Sequence, residues 1–233
     1  PARGRAPLAL AAEAAGLLDG FADAVAGGTG GDGPIHARLA RAWGVDAAGA
    51  DLIRRTLVLL ADHELNASTF AARVTASTGA SLAAAALAGL SALSGPLHGG
   101  IAPRVEAFVG EAGRLGAEAA VRERLAQGLR IPGFGHPLYP AGDPRARAML
   151  TAFAPPSRFE AVRAAAETLT GEIANVDYAL TALVAALDLP ADAAFLLFAI
   201  ARCAGWLAHA LEQLHTGQLI RPRARYVGPE PMG

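Results

Sequence analysis

The apolar content of this 233-residue chain is supplied largely by alanine, and this feature limits its possible folds more than any other. Alanine is the strongest helix-forming residue, and its small side chain allows neighbouring helices to approach closely. Hydrophobic residues make up 53% of the chain, which is ample for a buried core, yet aromatic residues contribute only 6%. Because strands favour aromatic and β-branched residues, the composition predicts an all-α protein.

The spacing of the apolar residues predicts a series of helices along the whole chain. Ser81 and Asp143 are suited to be N-caps, and Asp192 opens the last long helix in a similar way. The GGTGGDG segment at 27–33 is typical of a flexible linker or a turn. The predicted helices cover 8–26, 34–43, 47–61, 67–78, 82–93, 103–113, 116–128, 144–153, 158–174, 178–188 and 192–214.

The charged residues and the single cysteine exclude several function classes. All 20 basic residues are arginines, so a P-loop lysine, a Schiff-base lysine and a lysine general base are excluded. Cys203 stands alone, which excludes a disulfide framework and a zinc site built from cysteines, and no metal site is predicted. A net charge of −1 lacks the basic excess of a nucleic-acid-binding surface. One cysteine and no recognisable signal peptide predict a cytoplasmic location.

No segment is predicted to cross a membrane. The stretch 74–103 has no Asp, Glu, Lys or Arg, but it is rich in Gly, Ser and Thr and is interrupted by a proline. The run 193–201 is apolar enough but too short, since Asp192 and Arg202 bound it. A spanning helix needs about 20 strongly apolar residues.

Three histidines lie in segments that indicate a functional site. His63 in ADHELNASTF either pairs with a carboxylate at a helix end or contributes to a site. His98 in LSGPLHGG precedes two glycines that would let a ligand approach the backbone, with an ordinary interhelical turn as the alternative. His136 in IPGFGHPLYPAGDPRA follows Gly133 and Gly135, whose backbone N–H groups are suited to an anion or a nucleotide.

Two charged residues interrupt apolar helical segments. Asp177 in IANVDYALTALVAAL is either an N-cap carboxylate or a partly buried base with a raised pKa. Arg202 in FLLFAIARCAGWLAHALEQL needs an anionic partner, which is either a structural Asp or Glu or a carboxylate ligand. The RPRARY segment at 221–226 is either a solvated tail or an arm that reaches a neighbouring subunit.

Taken together, these segments resemble the citrate synthase family. ADHELNASTF, SGPLHGG, GFGH followed by DPRA, NVD, and FAIARCAGWLAHALEQ followed by RPR stand in the family's order, from about residue 50 to 228. The resemblance implies a multi-helical all-α fold with a large helical domain, 1–98 and 181–233, and an inserted smaller helical domain, 99–180, that carries the coenzyme A loop. Family members are usually longer, so the large domain is expected to be incomplete on its N-terminal side.

The resemblance also implies roles for individual residues. The residues that match the family's catalytic positions are His98, His136 and Asp177, and those that match its oxaloacetate-binding positions are His63, Arg145 and Arg202. Arg221 matches an arginine that binds substrate in the partner's site of a homodimer. The residues that match the segment in contact with coenzyme A are Gly133, Phe134 and Gly135.

The implied reaction condenses acetyl-CoA with oxaloacetate and hydrolyses citryl-CoA to citrate and CoA. Acetyl-CoA is then a co-substrate, and no permanently bound cofactor is required. Within the family, 2-methylcitrate synthase acting on propionyl-CoA and citryl-CoA lyase are alternatives, and a catalytically silent paralogue that binds a dicarboxylate or CoA is an alternative of another class. Pro137 and Leu138 follow His136 where many members carry other residues, and the proline restricts the local backbone.

Overall fold

The all-α prediction is confirmed by the computed structural model, which describes residues 1–28 and 32–229. Within those residues eleven helices follow one another, and extended structure is limited to two isolated bridges. Each helix overlaps one predicted segment, while part of the predicted 27–33 loop, 29–31, lies outside the described residues. The helices are α1 Pro7–Val25, α2 Ile35–Ala42, α3 Ala47–Leu60, α4 Ala67–Ser77, α5 Leu82–Leu93, α6 Ala102–Leu115, α7 Ala117–Ala126, α8 Pro144–Leu150, α9 Ser157–Thr170, α10 Val176–Ala186 and α11 Ala193–Thr216.

Two of the three predicted helix starts have the expected cap. The Ser81 hydroxyl accepts a hydrogen bond from the backbone N–H of Ala84, and the Asp143 carboxylate accepts one from the N–H of Arg145. Asp192 precedes α11, but its side chain makes no capping hydrogen bond, because its backbone is already helical. That prediction of an Asp192 cap is wrong.

The junction between α9 and α10 differs from the prediction by several residues. α9 ends at Thr170 because Gly171 adopts a left-handed φ of +70°, which a helix cannot continue. α10 begins at Val176, and the N-cap is Asn175, whose side-chain oxygen accepts from the backbone N–H groups of Asp177 and Tyr178. The N-cap interpretation of Asp177 is therefore wrong, and its carboxylate belongs to the first turn of α10.

The buried apolar residues form two clusters. The first cluster is built mainly by α1–α5 and α11 and contains Trp206. The second cluster is built mainly by α6, α7 and α9 and contains Phe108 and Phe159. α8 packs into the first cluster through Ala146 and Met149, although it falls inside the predicted 99–180 domain. The predicted domain boundaries themselves stay a prediction.

Helix α10 contributes to both clusters. Its Val176 and Leu180 side chains lie in the first cluster, and those of Tyr178 and Ala182 lie in the second. Residues on opposite faces of one helix can do this because successive side chains point about 100° apart. The N-terminal turn of α10, with Asp177, consequently lies at the junction of the two clusters.

Two glycines allow other segments to approach α11 closely. A Cβ atom added to Gly205 would lie 2.3 Å from the carbonyl oxygen of Ala61, and one added to Gly89 of α5 would lie 2.6 Å from the Trp206 ring. Any larger residue would force these elements apart. The close contact at Gly205 fixes the segment that follows α3, which carries His63, against the helix that carries Arg202.

Among the described helices, α11 alone is long and apolar enough to cross a membrane by length and composition. It extends well beyond the run 193–201, and 67% of its most apolar window is buried inside the protein. Burial against the other helices of the first cluster accounts for this composition.

Candidate functional site

One cavity of about 320 Å³ is lined by the loops that follow α3 and α5, the 131–142 loop, and helices α8, α10 and α11. Six of the seven residues predicted to bind or transform a substrate line it, although they come from distant segments. They are His63, His98, His136, Arg145, Asp177 and Arg202. The other lining residues are Glu64, Leu65, Asn66, Pro137, Leu138, Val176 and Phe198. The structure thus brings these six side chains together, while the roles assigned to them stay predictions.

Arg202 is a buried cation with an unused donor. It is 1% exposed, and its Nε donates to the carbonyl oxygen of Leu60 at 2.9 Å. Its Nη2 atom is buried without a hydrogen-bond partner, and in the described part of the chain no carboxylate forms an ion pair with it. A buried unpaired donor is costly, so the site is suited to an anion that none of the described residues supplies. Of the two partners considered above, this favours a carboxylate ligand.

Arg145 is held by a carboxylate, in contrast to Arg202. Asp143 is fully buried, and its two oxygens accept from Nε and Nη2 of Arg145 at 3.0 and 2.7 Å. One of these oxygens also accepts from the backbone N–H of Val176 at 3.2 Å, which joins α8 to the start of α10. Burial alone would raise the pKa of Asp143, but the hydrogen bonds from Arg145 outweigh it and hold the pKa below its usual value.

Asp177 has the environment of a base that can accept a proton near neutral pH. Burial raises the pKa of Asp177 to about 6, and Asp143 adds to this, whereas the positive charges of Arg145 and Arg202 partly oppose it. The carboxylate is therefore mostly ionised at pH 7 but binds a proton more readily than an exposed aspartate. A catalytic base is most effective when its pKa lies near the working pH.

His98 is oriented by a buried serine. Its Nε2 lies 2.8 Å from the Ser68 hydroxyl oxygen, which also accepts from Nε1 of Trp206 at 3.0 Å and lies 2.8 Å from the side-chain oxygen of Asn66. The Ser68 hydroxyl donates its proton to the Asn66 oxygen, which also accepts from the backbone N–H of Thr69, so in this arrangement Nε2 of His98 is the donor to Ser68. If the hydroxyl turns to His98 instead, the His98 proton is on Nδ1. Burial lowers the pKa of His98, and Arg202 lowers it further, so the ring is neutral at pH 7.

His136 has a fixed tautomer. Its Nδ1 accepts a hydrogen bond from the backbone N–H of Leu138 at 3.1 Å, so the proton of the neutral ring is on Nε2. Burial lowers the pKa of His136, with a further contribution from Arg145 that Asp143 partly opposes. At pH 7 the ring is therefore a neutral N–H donor.

His63 is also neutral at pH 7. Burial lowers its pKa to about 4, followed by the effects of Arg145, His136 and Arg202. Its Nε2 lies 3.1 Å from the hydroxyl of Tyr139, and its ring meets the His136 ring edge-on at a centroid distance of 5.2 Å. In the sequence the two histidines are 73 positions apart, and only the fold places them side by side.

The predicted coenzyme A loop is anchored to the start of α10. Gly133 and Gly135 adopt left-handed φ angles of +84° and +70°, and their carbonyl oxygens accept from the backbone and the side chain of Asn175, respectively. The Phe134 ring is 3% exposed and packs on Tyr178 at a centroid distance of 4.8 Å, so it stabilises the second cluster. None of Gly133, Phe134 and Gly135 lines the cavity, and their contact with CoA stays a prediction.

Arg221 lies apart from the other predicted residues. It is exposed in the segment without regular secondary structure that follows α11, and it does not line the cavity of its own chain. Its predicted contact with a partner's site is not tested by a single chain. Within the described ranges, no group of three or more His, Cys, Asp or Glu side chains is placed to hold a metal ion.

Sequence reasoning missed three residues that contact the predicted site. Ser68 hydrogen-bonds His98, Asp143 holds Arg145, and Tyr139 contacts His63. The sequence predicts Asp143 only as a helix cap. An acid two positions before an arginine at a helix start also indicates that the two side chains can form an ion pair, and this signal could have identified the contact with Arg145. Ser68 and Tyr139 had no such signal, because their partners lie 30 and 76 positions away in the sequence.

The all-α fold and this cavity define a helical protein suited to acid–base chemistry on an anionic ligand. The family described as citrate synthase, C-terminal domain, matches residues 21–223. A putative citrate synthase 2 of Mycobacterium tuberculosis is 41% identical over 189 residues, which cover 75% of this chain and 50% of that protein. The chain belongs to the citrate synthase family, as the sequence motifs predicted.

Solved structures support the same assignment. Citrate synthase from Thermotoga maritima superposes with a TM-score of 0.73 at 33% identity, covering 84% of this chain and 57% of that chain. Citrate synthase from Thermoplasma acidophilum, in a ternary complex with carboxymethyl coenzyme A and oxaloacetate, has a TM-score of 0.74 at 25% identity, covering 94% and 66%. The chain spans about half the length of the curated relatives it matches.

Proposed function

We propose that this chain is a citrate-synthase-type acyltransferase that condenses acetyl-CoA with oxaloacetate and hydrolyses citryl-CoA to citrate and CoA. The observation that carries the proposal is a single cavity that combines the buried unpaired donor of Arg202 with the carboxylate of Asp177. The first is suited to a substrate carboxylate, and the second is suited to remove a proton. Membership of the citrate synthase family supports the same reaction.

The first step is the removal of a proton from the acetyl methyl group. Asp177 takes this proton, and the electron pair moves onto the thioester oxygen. His98 donates a hydrogen bond to that oxygen from Nδ1 once the Ser68 hydroxyl has turned from Asn66 to Nε2 of His98, which leaves the ring proton on Nδ1. Such a donor stabilises the charge that develops on the oxygen, and a neutral ring provides it at pH 7.

The second step forms the carbon–carbon bond. The enolate carbon attacks the carbonyl carbon of oxaloacetate, the carbonyl electron pair moves onto its oxygen, and that oxygen takes a proton from Nε2 of His136. Because the Leu138 N–H occupies Nδ1, Nε2 is the nitrogen that carries this proton. The proton that Asp177 removed from the methyl group then restores the neutral His136 ring and the Asp177 carboxylate. Arg145 and Arg202 bind the carboxylates of oxaloacetate, with His63 as a further donor. Water then attacks the citryl thioester, and CoA leaves as a thiol.

The direct test is the release of CoA thiol in the presence of a thiol-reactive chromogen. We expect release from acetyl-CoA only when oxaloacetate is present. The protein's single cysteine, Cys203, is buried, and burial raises its pKa to about 11, so it adds little background. No release at high protein concentration would contradict the proposed reaction.

Parallel reactions separate the alternatives. Faster release from propionyl-CoA would identify a 2-methylcitrate synthase, and cleavage of citryl-CoA without net synthesis would identify a citryl-CoA lyase. One methylene is worth only about 1–3 kcal/mol in a pocket, so both thioesters must be compared directly. Thermal stabilisation by oxaloacetate without turnover would identify the silent, ligand-binding alternative.

We also propose that the chain acts as a homodimer through a face of α4 and α5. Three exposed apolar side chains lie in this region: Phe70 at 46%, Leu87 at 63% and Leu97 at 91% exposure. No Asp, Glu, Lys or Arg occurs over 74–103, and small residues dominate α5. Exposed apolar side chains in a segment with few charges are typical of a protein interface, and a twofold dimer would pair such a surface with itself.

The homodimer proposal includes a substrate-binding role for Arg221 in the partner's site. Arg221→Ala and Asp177→Asn should each be nearly inactive alone. Mixed dimers would contain one site with both residues intact, so mixing the two variants should restore activity in about a quarter of all sites. Absence of recovery, in a preparation shown by light scattering to contain dimers that exchange subunits, would place Arg221 in its own chain's site or outside it.

We propose a cytoplasmic location. The one cysteine, a buried free thiol, is compatible with a reducing compartment.

A further inference from the structure

Tyr139 contacts three of the residues that line the cavity, although no role is assigned to it above. Its hydroxyl lies 3.1 Å from Nε2 of His63. Its ring centroid lies 4.9 Å from that of His136 and 5.7 Å from the guanidinium carbon of Arg145. A side chain in this position influences two histidines and one arginine of the proposed oxaloacetate site at once.

A turn in the 131–142 loop places Tyr139 there. The backbone N–H of Tyr139 donates to the carbonyl oxygen of His136 at 3.1 Å, which closes a four-residue turn. Pro137 occupies the second position of the turn, where its restricted φ is favourable. A further hydrogen bond, from the N–H of Gly142 to the carbonyl oxygen of Tyr139 at 3.0 Å, holds the other side. The proline noted in the sequence therefore folds Tyr139 back over the site.

The hydrogen bond at His63 determines which of its ring nitrogens carries the proton. A neutral imidazole has one N–H, and the other nitrogen is an acceptor. If the Tyr139 hydroxyl donates to Nε2, the His63 proton is on Nδ1. An ionised substrate carboxylate only accepts hydrogen bonds, so it requires a protonated nitrogen on the side of His63 away from Tyr139.

We propose that Tyr139 is a positioning residue that donates its hydroxyl hydrogen to Nε2 of His63 and thereby directs an Nδ1–H donor toward a carboxylate of the substrate. The identity of that substrate rests on the proposed function, whereas the hydrogen bond and the tautomer are properties of the ligand-free protein. The opposite arrangement, in which Nε2–H donates to the tyrosine oxygen, would leave His63 with only an acceptor to offer.

The tautomer is measured by two-bond ¹H–¹⁵N correlation spectroscopy on ligand-free protein labelled at histidine with ¹⁵N. A His63→Gln variant identifies the His63 signals. In the native protein we expect a protonated Nδ1 and an unprotonated Nε2, and in Tyr139→Phe we expect this single-tautomer pattern to be lost. A native spectrum with a protonated Nε2, or an unchanged pattern in Tyr139→Phe, would overturn the proposal.

Tyr178→Phe is the matched control, because its hydroxyl donates to the carbonyl oxygen of Phe159 in the second cluster, away from His63. It should leave the His63 signals unchanged. In enzyme that turns over, Tyr139→Phe should raise the KM for oxaloacetate by about 3- to 10-fold, the range expected for one hydrogen bond. The KM for acetyl-CoA should stay within about twofold of the native value, because His63 is proposed to bind a carboxylate of oxaloacetate and not the thioester. A protein without turnover would contradict the proposed function, while the spectrum would still decide the role of Tyr139.

Discussion

Replacement of Asp177 by asparagine is expected to lower kcat by about 10²- to 10⁴-fold, the contribution typical of a positioned base. Asparagine keeps the size of the side chain and its place in the first turn of α10, but it cannot accept the methyl proton of acetyl-CoA. The native carboxylate is ionised at pH 7, yet burial raises its pKa to about 6. The measurement is the steady-state rate of CoA release for purified native and variant protein.

The pH profile provides an independent check on Asp177. In the native protein kcat/KM should rise as the pH increases through about 6, because the carboxyl group must lose its proton before it can act. Asp192→Asn is a matched control, since Asp192 also lies at a helix start but is exposed and makes no capping hydrogen bond. A kcat for Asp177→Asn equal to that of this control would show that another group is the base.

Asp177→Asn should not destabilise the fold. The pKa of Asp177 is raised by burial from 3.8 to about 6, so its ionisation opposes folding at pH 7 and this opposition decreases as the pH falls through 6. An unchanged or higher melting temperature at pH 7 would therefore accompany the loss of activity. Loss of both activity and stability would indicate a structural role instead.

Replacement of Arg202 by methionine is expected to raise the KM for oxaloacetate by about 10²-fold or more, as for the loss of one partner of a buried charge pair. The same change should leave the ligand-free protein as stable as the native protein or about 1–2 kcal/mol more stable. Burial lowers the pKa of Arg202 from 12.5 to about 10, which opposes folding by about 3 kcal/mol, and the lost hydrogen bond to Leu60 offsets part of this. Chemical denaturation and oxaloacetate-dependent thermal shifts measure the two effects.

Arg145→Met is the informative comparison for Arg202→Met. It should also weaken oxaloacetate binding, but it should destabilise the fold by about 3–5 kcal/mol because it leaves Asp143 buried and unpaired. The two arginines thus differ in the sign of their effect on the free energy of unfolding. A large destabilisation by Arg202→Met would show that a residue of the chain, rather than a ligand, satisfies this cation.

The helices were predictable because their determinants are local. Alanine-rich periodicity and caps such as Ser81 depend on residues within four positions of one another. The error at the start of α10 occurred where a local rule had two candidates. Both Asn175 and Asp177 are good N-caps, and the cap position went to Asn175, whose side chain and backbone also bind the carbonyl oxygens of Gly135 and Gly133. Such contacts across 40 positions are not visible in a pattern of residue types.

The site was predictable to the extent that ordered motifs carry it. Six predicted side chains line one cavity, but the sequence did not show what orients them. Ser68 reaches His98 and Trp206 across 30 and 138 positions, and the unpaired state of Arg202 depends on every carboxylate near it. Tautomers and unsatisfied donors are properties of three-dimensional packing. They determine which side chains of the motifs can donate a hydrogen bond to a ligand and which can accept one.

The position of α10 has a consequence for how the protein unfolds. Because opposite faces of this one helix complete two separate apolar clusters, neither cluster can lose its packing without exposing half of α10. Unfolding of the two clusters is therefore coupled, and a single cooperative transition is expected rather than two independent ones. The raised pKa of Asp177, in the first turn of α10, depends on burial that both clusters provide. The proposed catalytic base and the cooperativity of unfolding therefore depend on the same helix.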